Sequence, residues 1–488
     1  MSFGGRLPYK WVVASVFVIA MFMDTMDVTV VNVALPTIGR QLHAGTSSIE
    51  WVVLGYVLSL ALWIPASGWI GDRIGTKKVF LFALASFTAA SMACGQARTL
   101  HQLVAFRVLQ GVGGGMLTPM GTAMLFRAFE PHERAKASTV LLVPTVLAPA
   151  IGPIIGGILI ESLSWRWIFS INLPAGVLGL LIGIRGLREH AEPSAGRFDV
   201  PGFVLSGAGL ALLLYALSEG PLQGWRSTGV LGSAVLGATA FALLVIVELR
   251  TPEPMLDLRL YRDRMFRSAS LVLMMMFGGF IGVLFLLPLL LQGDGLFRLS
   301  PLQSGLVTFP QAVGMIVSSQ IVGRLYHRIG PRRLIIGGAV SFAVISCGFL
   351  RVGLGTSLWW VRAILFARGV SMAFAFIPIQ AASYSNIRSA DTGRASALFS
   401  TQRQVAAALG VALSATVLIS RTTALTAHAT GPTALANAQV AAFHDAFAAA
   451  IVVAFAAGLV GLLIRDSDAA ASMRAPVVAE DLGPAVIE

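Results

Sequence analysis

Apolar residues gather along this chain into runs of roughly twenty, the length a helix needs to cross a bilayer's hydrocarbon layer. They lie near 11–35, 50–70, 78–97, 102–126, 136–160, 165–186, 200–218, 229–249, 267–291, 303–323, 332–352, 358–382, 393–420 and 440–464. The pattern predicts an all-α membrane protein with fourteen spans. Glycines and prolines inside the runs do not argue against this, because neighbouring helices can satisfy freed backbone groups. Polar positions fall between the runs, and their charge alternates. Every second loop is basic, as in Arg73, Lys77 and Lys78, then Arg127, Arg134 and Lys136. The intervening loops hold isolated cases such as Arg40, Arg98, Arg166, Arg226 and Arg298. All four lysines, Lys10, Lys77, Lys78 and Lys136, fall on the basic side. The positive-inside rule makes that side, and both termini, cytoplasmic.

One basic turn occurs twice. Gly68–Lys78 reads GWIGDRIGTKK, and Gly323–Arg333, 255 positions later, reads GRLYHRIGPRR. Lys136-Ala137-Ser138 and Arg394-Ala395-Ser396 match at a similar offset, as do Gly152 and Gly410. The chain therefore divides into a six-helix half over 1–188 and a second over 265–465, a duplication common among transporters. Residues 189–264 join the halves and add two helices, and 466–488 form an Ala-rich tail that reads as disordered.

Composition agrees with the pattern. The chain has 488 residues, 56% hydrophobic and 12% charged, and its mean hydropathy is +0.80. A soluble protein would carry about 25% charged residues. The net charge of +12 would suit nucleic acid, but its confinement to alternate loops makes it a topology signal, and no nucleic-acid partner is expected. Cys94 and Cys347 sit far apart in apolar runs, without metal-ligand or disulfide spacing,. The N-terminus lacks a small-residue cleavage site and reads as a retained first helix.

Charges inside the runs are the candidate chemistry, since each costs about 2.5–3.5 kcal/mol to insert. Asp24 and Asp27 are three apart in the first run and so share a helix face,. Two carboxylates that close discourage joint ionisation, which makes the pair a place for a proton to bind and leave. Arg107 is a lone cation in the fourth run, and Arg403 with Gln404 in the thirteenth is a possible polar part of a cavity wall. In the first basic turn, Gly68 and Gly75 permit close approach and a tight bend, while Asp72 and Arg73 can pair across the two halves and Lys77 and Lys78 mark the basic face. The second turn has His327 where Asp72 stands, so the stronger gate belongs to the first half. Gly152, Pro153, Gly156 and Gly157 should bend the fifth helix and seat it tightly against the facing half. Tyr56, Trp63, Phe277, Phe280 and their Met and Phe neighbours could line a cavity for bulky apolar ligands, but read first as core or lipid contact.

Taken together these segments resemble the major facilitator superfamily, and more narrowly its fourteen-helix drug:proton antiporters of the EmrB/QacA type. The first turn fits the loop signature GxxxDRxGxKK. Asp27–Pro36 (DVTVVNVALP), Arg107–Gly111 (RVLQG), Gly152–Gly157 (GPIIGG) and Trp165–Pro174 (WRWIFSINLP) are similar to the first-, fourth-, fifth- and sixth-helix motifs, in order. The resemblance implies proton coupling through Asp27, with Asp24 and Arg107 assisting, and export of amphipathic or hydrophobic compounds, some of them cationic, by alternating access. It implies membrane lipid as surroundings, a monomer, and a proton gradient in place of any cofactor. An exporter of a lipid or cell-envelope component on the same fold is the alternative. A nutrient importer would want a more polar cavity and no GPxxGG segment. ATP-driven pumping and two hydrolase chemistries lack their motifs, since GxxxxGK[ST], HExxH and GxSxG are absent,, so no catalytic or metal site is expected.

Overall fold

Spans end in sequence where polar residues begin, but backbone hydrogen bonding carries the helices further. The computed structural model describes residues 8–43, 49, 51–191, 198–252, 254–292, 297–388, 391–427, 429–469 and 473. Of the segments singled out above, 192–197 and 253 of the connector, 470–472 and 474–488 of the tail, and the side chains of Asn32, Val33, Pro36 and Pro153 lie outside the described residues. The helices of the first half are α1 (Tyr9–Gln41), α2 (Trp51–Ile74), α3 (Thr76–Gly95), α4 (Leu100–Ala128), α5 (Arg134–Ser162) and α6 (Asn172–Gly186). Then come α7 (Val200–Gln223) and α8 (Thr228–Arg250). The last six are α9 (Arg264–Gln292), α10 (Pro301–Ile329), α11 (Pro331–Ser346), α12 (Leu358–Ser383), α13 (Thr392–Thr426) and α14 (Pro432–Val460). Local chemistry sets several ends. Thr99 caps α4 by accepting from the Gln102 amide at 3.3 Å, and Ser300 with Gln303 forms a reciprocal capping box on α10,.

Twelve stretches among the described residues are long and apolar enough to cross a membrane, against the fourteen expected. The two helices outside that set are α4 and α5. In α4, Arg107, Gln110 and a run of glycines dilute the apolar content. Both helices nonetheless pack within the bundle. α6 is preceded by a one-turn helix, Trp167–Ser170, and the two together make one span.

The packing repeats the duplication. Within the first half α4 packs on α2 and α3, and α1 on α4, α5 and α6. Within the second, α12 packs on α10 and α11, and α9 on α12, α13 and α14. Between the halves α5 meets α10 while α13 meets α2, two seams related by the same repeat. α7 lies over the α2–α13 seam, where Leu210 and Leu214 cover Ala61, and α8 packs mainly on α7.

Small residues allow these helices to approach. A Cβ on Gly410 of α13 would lie 2.1 Å from the Gly278 carbonyl of α9, and one on Gly369 of α12 would lie 2.0 Å from the Gln311 carbonyl of α10. The tail begins in order, contrary to the disorder expected after Arg465. Asp466–Ala469 form a 3₁₀ turn, and Asp466 accepts from the Arg332 amide at 2.8 Å.

Gly410→Val should separate α13 from α9 and cost at least about 1–3 kcal/mol, the range for overpacking a core. Gly232→Val, where a Cβ meets nothing within 4 Å, should be neutral. Thermal unfolding in detergent, followed by size-exclusion recovery, compares the two.

Candidate functional site

Asp24 and Asp27 share a helix, yet the three-residue spacing sends them to different surroundings. Asp27 is fully buried inside the first half. Arg107 Nη1 donates to its Oδ2, Gln110 Nε2 donates to its Oδ1 at 2.9 Å, and Asn172 Nδ2 reaches the same oxygen at 3.3 Å. Arg107, also fully buried, donates from Nε to the Val52 carbonyl at 3.0 Å and from Nη1 to Gln110 Oε1 at 2.8 Å. Its guanidinium lies 4.2 Å from the centre of the Tyr56 ring, a cation–π contact,. Asn172 in turn donates to Ser91 Oγ at 3.0 Å. The cluster thereby ties α1, α2, α3, α4 and α6 around one ion pair.

Asp24 instead lines a cavity of about 330 Å³ between the halves. Tyr56 donates its hydroxyl hydrogen to Asp24 Oδ1, so one aromatic residue contacts both acidic sites, by hydroxyl at Asp24 and by ring face at Arg107. The cavity's first-half wall includes Met21, Asp24, Tyr56 and Thr118; the second-half wall includes Phe277, Phe280, Leu284, Arg403 and Gln404. The Arg403 guanidinium lies over the Phe277 ring at 5.1 Å, and it has no ion pair among the described residues. A carboxylate on one wall and a guanidinium on the other thus line one slot, among apolar side chains and the polar Thr25, Thr29, Thr118, Ser400 and Gln404. Tyr56, Phe277 and Phe280, first read as core, are part of this wall. Such a space suits a ligand with an apolar body and a few polar groups.

At the basic-turn end the halves touch. The Asp72 partner is Arg127 of α4, whose Nη2 donates to Oδ1 at 2.9 Å, and not Arg73, which is exposed. Asp72 also sits against the start of α13: a Cβ on Gly393 would fall 2.8 Å from Asp72 Oδ1. A carboxylate at a helix N-terminus is favoured by the unpaired amides and the helix dipole. Gly68 packs on the same turn, its would-be Cβ 3.1 Å from the Gly393 carbonyl. Ser396 donates to the Pro119 carbonyl at 2.7 Å, and Phe126 stacks on Tyr384 at 4.3 Å. These contacts close that end across the halves.

Gly75 and Lys77 do other work. Gly75 has φ of +113°, which favours glycine, and the Lys77 amide donates to Glu189 Oε1 at 3.0 Å. Lys77 Nζ reaches the Ile184 carbonyl at 2.8 Å, while Lys78 is exposed. The turn is therefore pinned to the end of α6 in its own half. Gly330, with φ of +87°, is held in the same manner by Asp466. An acidic residue just past the end of each half thus caps that half's basic turn.

The glycines of α5 face α1, not the opposite half as expected. A Cβ on Gly152 would lie 2.1 Å from Thr29 Oγ1, and one on Gly156 would lie 3.0 Å from Val30 Cγ1. Around Gly157 nothing lies within 4 Å. The tight packing at Gly152 and Gly156 is thus internal to the first half, while α5 as a whole also meets α10 and α12.

The model for the Major Facilitator Superfamily matches residues 17–411. The chain belongs to the major facilitator superfamily. Curated relatives include a "Multidrug resistance protein B homolog" of Mycobacterium tuberculosis, 33% identical over 83% of this chain and 75% of that protein. A "Putative multidrug resistance protein MdtD" of Cronobacter sakazakii is 34% identical over 84% of this chain and 85% of that one. Among solved structures, the human organic anion transporter MFSD10 superposes with a TM-score of 0.65 at 18% identity, over 93% of this chain and all of that chain. The proton:xylose symporter XylE gives 0.60 at 14% identity, over 95% and 94% of the two chains. These superpositions fix the fold. The family and its multidrug-type relatives make the chain a transporter, not an enzyme.

Sequence reasoning missed Gln110, Asn172, Arg127, Glu189 and Asp466. Gln110 stands three residues after Arg107 on the same helix face, and Asn172 lies inside the WRWIFSINLP segment, so both had a usable signal. Arg127 and the two capping acids had none, because their partners are distant in sequence.

A further ion pair lies at this end. Lys10 Nζ donates to Glu133 Oε1 at 2.7 Å, joining α1 to the turn before α5. Burial would raise the Glu133 pKa, but Lys10, with help from Lys136 and His132, holds it below the ordinary carboxylate value. Its stabilisation is present above the unfolded-state pKa and is lost as pH falls through the lowered folded-state value. Glu133→Gln should therefore cost up to about 1 kcal/mol at neutral pH. The difference should vanish in acid, as read by thermal unfolding across pH.

Proposed function

We propose that this transporter is a proton-coupled exporter of small amphipathic or hydrophobic compounds, such as drugs, dyes or antibiotics, of the fourteen-helix drug:proton antiporter type. It would reside in a bacterial cytoplasmic membrane with both termini cytoplasmic, act as a monomer and use no cofactor beyond the proton gradient. The halves 1–188 and 265–465 would rock about the central cavity. The observation that carries the reading is the Asp27–Arg107 cluster sealed immediately behind the cavity wall that Asp24 forms.

The chemistry follows from that geometry. Protonating Asp27 removes the charge that Arg107 is bound to, and the guanidinium must then find another acceptor. Because the pair ties five helices, their packing changes with it. Asp24 on the cavity wall is placed to meet an entering proton or a cationic substrate. Tyr56 contacts both sites and so carries the state of one to the other. One proton moving through 100 mV releases about 2.3 kcal/mol, enough to hold a roughly 40-fold gradient of a neutral compound.

Inverted membrane vesicles energised with a proton gradient should accumulate a fluorescent dye, and an uncoupler should abolish the uptake. Uptake indifferent to the uncoupler would refute antiport. Asp27→Asn should reduce driven uptake to background with expression retained; a normal rate would move the coupling elsewhere. Asp72→Asn should loosen the seam at Gly393. In a background with Cys94 and Cys347 replaced by serine, Ser400→Cys should then react several-fold faster with an impermeant maleimide applied at the basic-turn end. An unchanged rate would remove Asp72 from the gate.

A further inference from the structure

A cavity larger than the central one lies elsewhere among the described residues. A space of about 1190 Å³ opens between α1, α5 and α10 at the basic-turn end, beyond the about 300–1,000 Å³ usual for a small-molecule site. It exists because the two seams are unequal. On the α2–α13 seam Gly68 is pressed onto the Gly393 carbonyl, whereas around its counterpart Gly323, on the α5–α10 seam, a Cβ would meet nothing within 4 Å.

The lining is graded. Toward the basic-turn end stand Lys136, His132, Arg324 and His327; further along the helices lie Ala14, Val18, Ile19 and Val140. The one acid on the lining, Glu133, is already engaged by Lys10 at 2.7 Å, and lies 3.7 Å from Lys136. Arg324 has no ion pair among the described residues. His327 stands where the first turn has Asp72, so this turn brings no carboxylate to the groove; the His327 Nδ1 lies 3.3 Å from the Met473 carbonyl.

We infer that this groove binds an anionic phospholipid from the adjacent leaflet. Lys136 and Arg324 hold the phosphate, with His132 and His327 beside them, and the acyl chains lie along Val18, Ile19 and Val140. Basic pockets between membrane helices take anionic headgroups for this reason. A zwitterionic lipid would bring its own cation against two others and should bind less well. The inference does not depend on proton coupling and stands or falls separately from the export reading.

Native mass spectrometry of the purified full-length protein, titrated with phosphatidylglycerol or phosphatidylcholine, tests it. Wild type should retain phosphatidylglycerol with a preference of about tenfold or more. The double variant Lys136→Gln, Arg324→Gln should lose that preference, whereas Arg226→Gln with Arg298→Gln, at the opposite end, should keep it. Gly323→Leu retains every charge but fills the groove and should lower occupancy of the lipid, which separates the groove from a general surface charge effect. Equal retention of the two lipids would overturn the proposal, as would a preference untouched by the double variant or by Gly323→Leu. Full displacement by millimolar inorganic phosphate would reassign the groove to a free anion. Binding that appears only after removal of 474–488, which carry Glu480, Asp481 and Glu488, would assign the groove to the chain's own tail and also overturn it.

Discussion

Taking a carboxylate and a guanidinium out of water costs several kcal/mol per ion, and removing one member of a buried pair costs about 3–5 kcal/mol more. The Asp27–Arg107 pair is tolerable because neutral donors and acceptors surround it: Gln110, Asn172 and the Val52 carbonyl. Those partners come from different helices, so satisfying one ion pair fixes the relative positions of most of the first half.

No matching arrangement exists in the second half among the described residues. Arg368 is also buried, but its guanidinium lies 4.4 Å over the Phe342 ring and 5.3 Å from Phe349, and it has no acidic partner there. Aromatic faces soften the cost of that cation without giving it anything to exchange. The duplicated fold therefore holds a buried ion pair in one half and, among the described residues, a buried guanidinium set against aromatic rings in the other. The helix contacts repeat while the polar content does not, because packing constrains shape and leaves the identity of a buried polar group to function.

Much of the architecture is written in local patterns: spans from run length, duplication from the two basic turns, and Asp27 and Arg107 from charge in apolar surroundings. What escaped the sequence depends on neighbours far along the chain. Three-residue spacing put Asp24 and Asp27 on one face, but it could not show that α4 and α6 would enclose one while the cavity took the other. Gly152 and Gly156 announced close packing without saying that α1 would provide it. Asp72 advertised an ion pair, and the partner proved to be Arg127, 55 residues away. Helix periodicity specifies a face; only the fold specifies what covers it.

The placement of α7 and α8 makes the molecule sided within the plane of the membrane. One flank is sheathed: α7 covers the α2–α13 seam, and Trp225 in the connection to α8 donates to Thr416 Oγ1 of α13 at 3.1 Å. On the other flank α10 shows Val317 and Ile321 at 55% and 50% exposure, with nothing of this chain laid across them among the described residues. A lipid, an inhibitor or a neighbouring protein that acts on the joint between the halves from within the bilayer has a single direction of approach. Crowding or membrane thickness would then be felt unequally by the two seams.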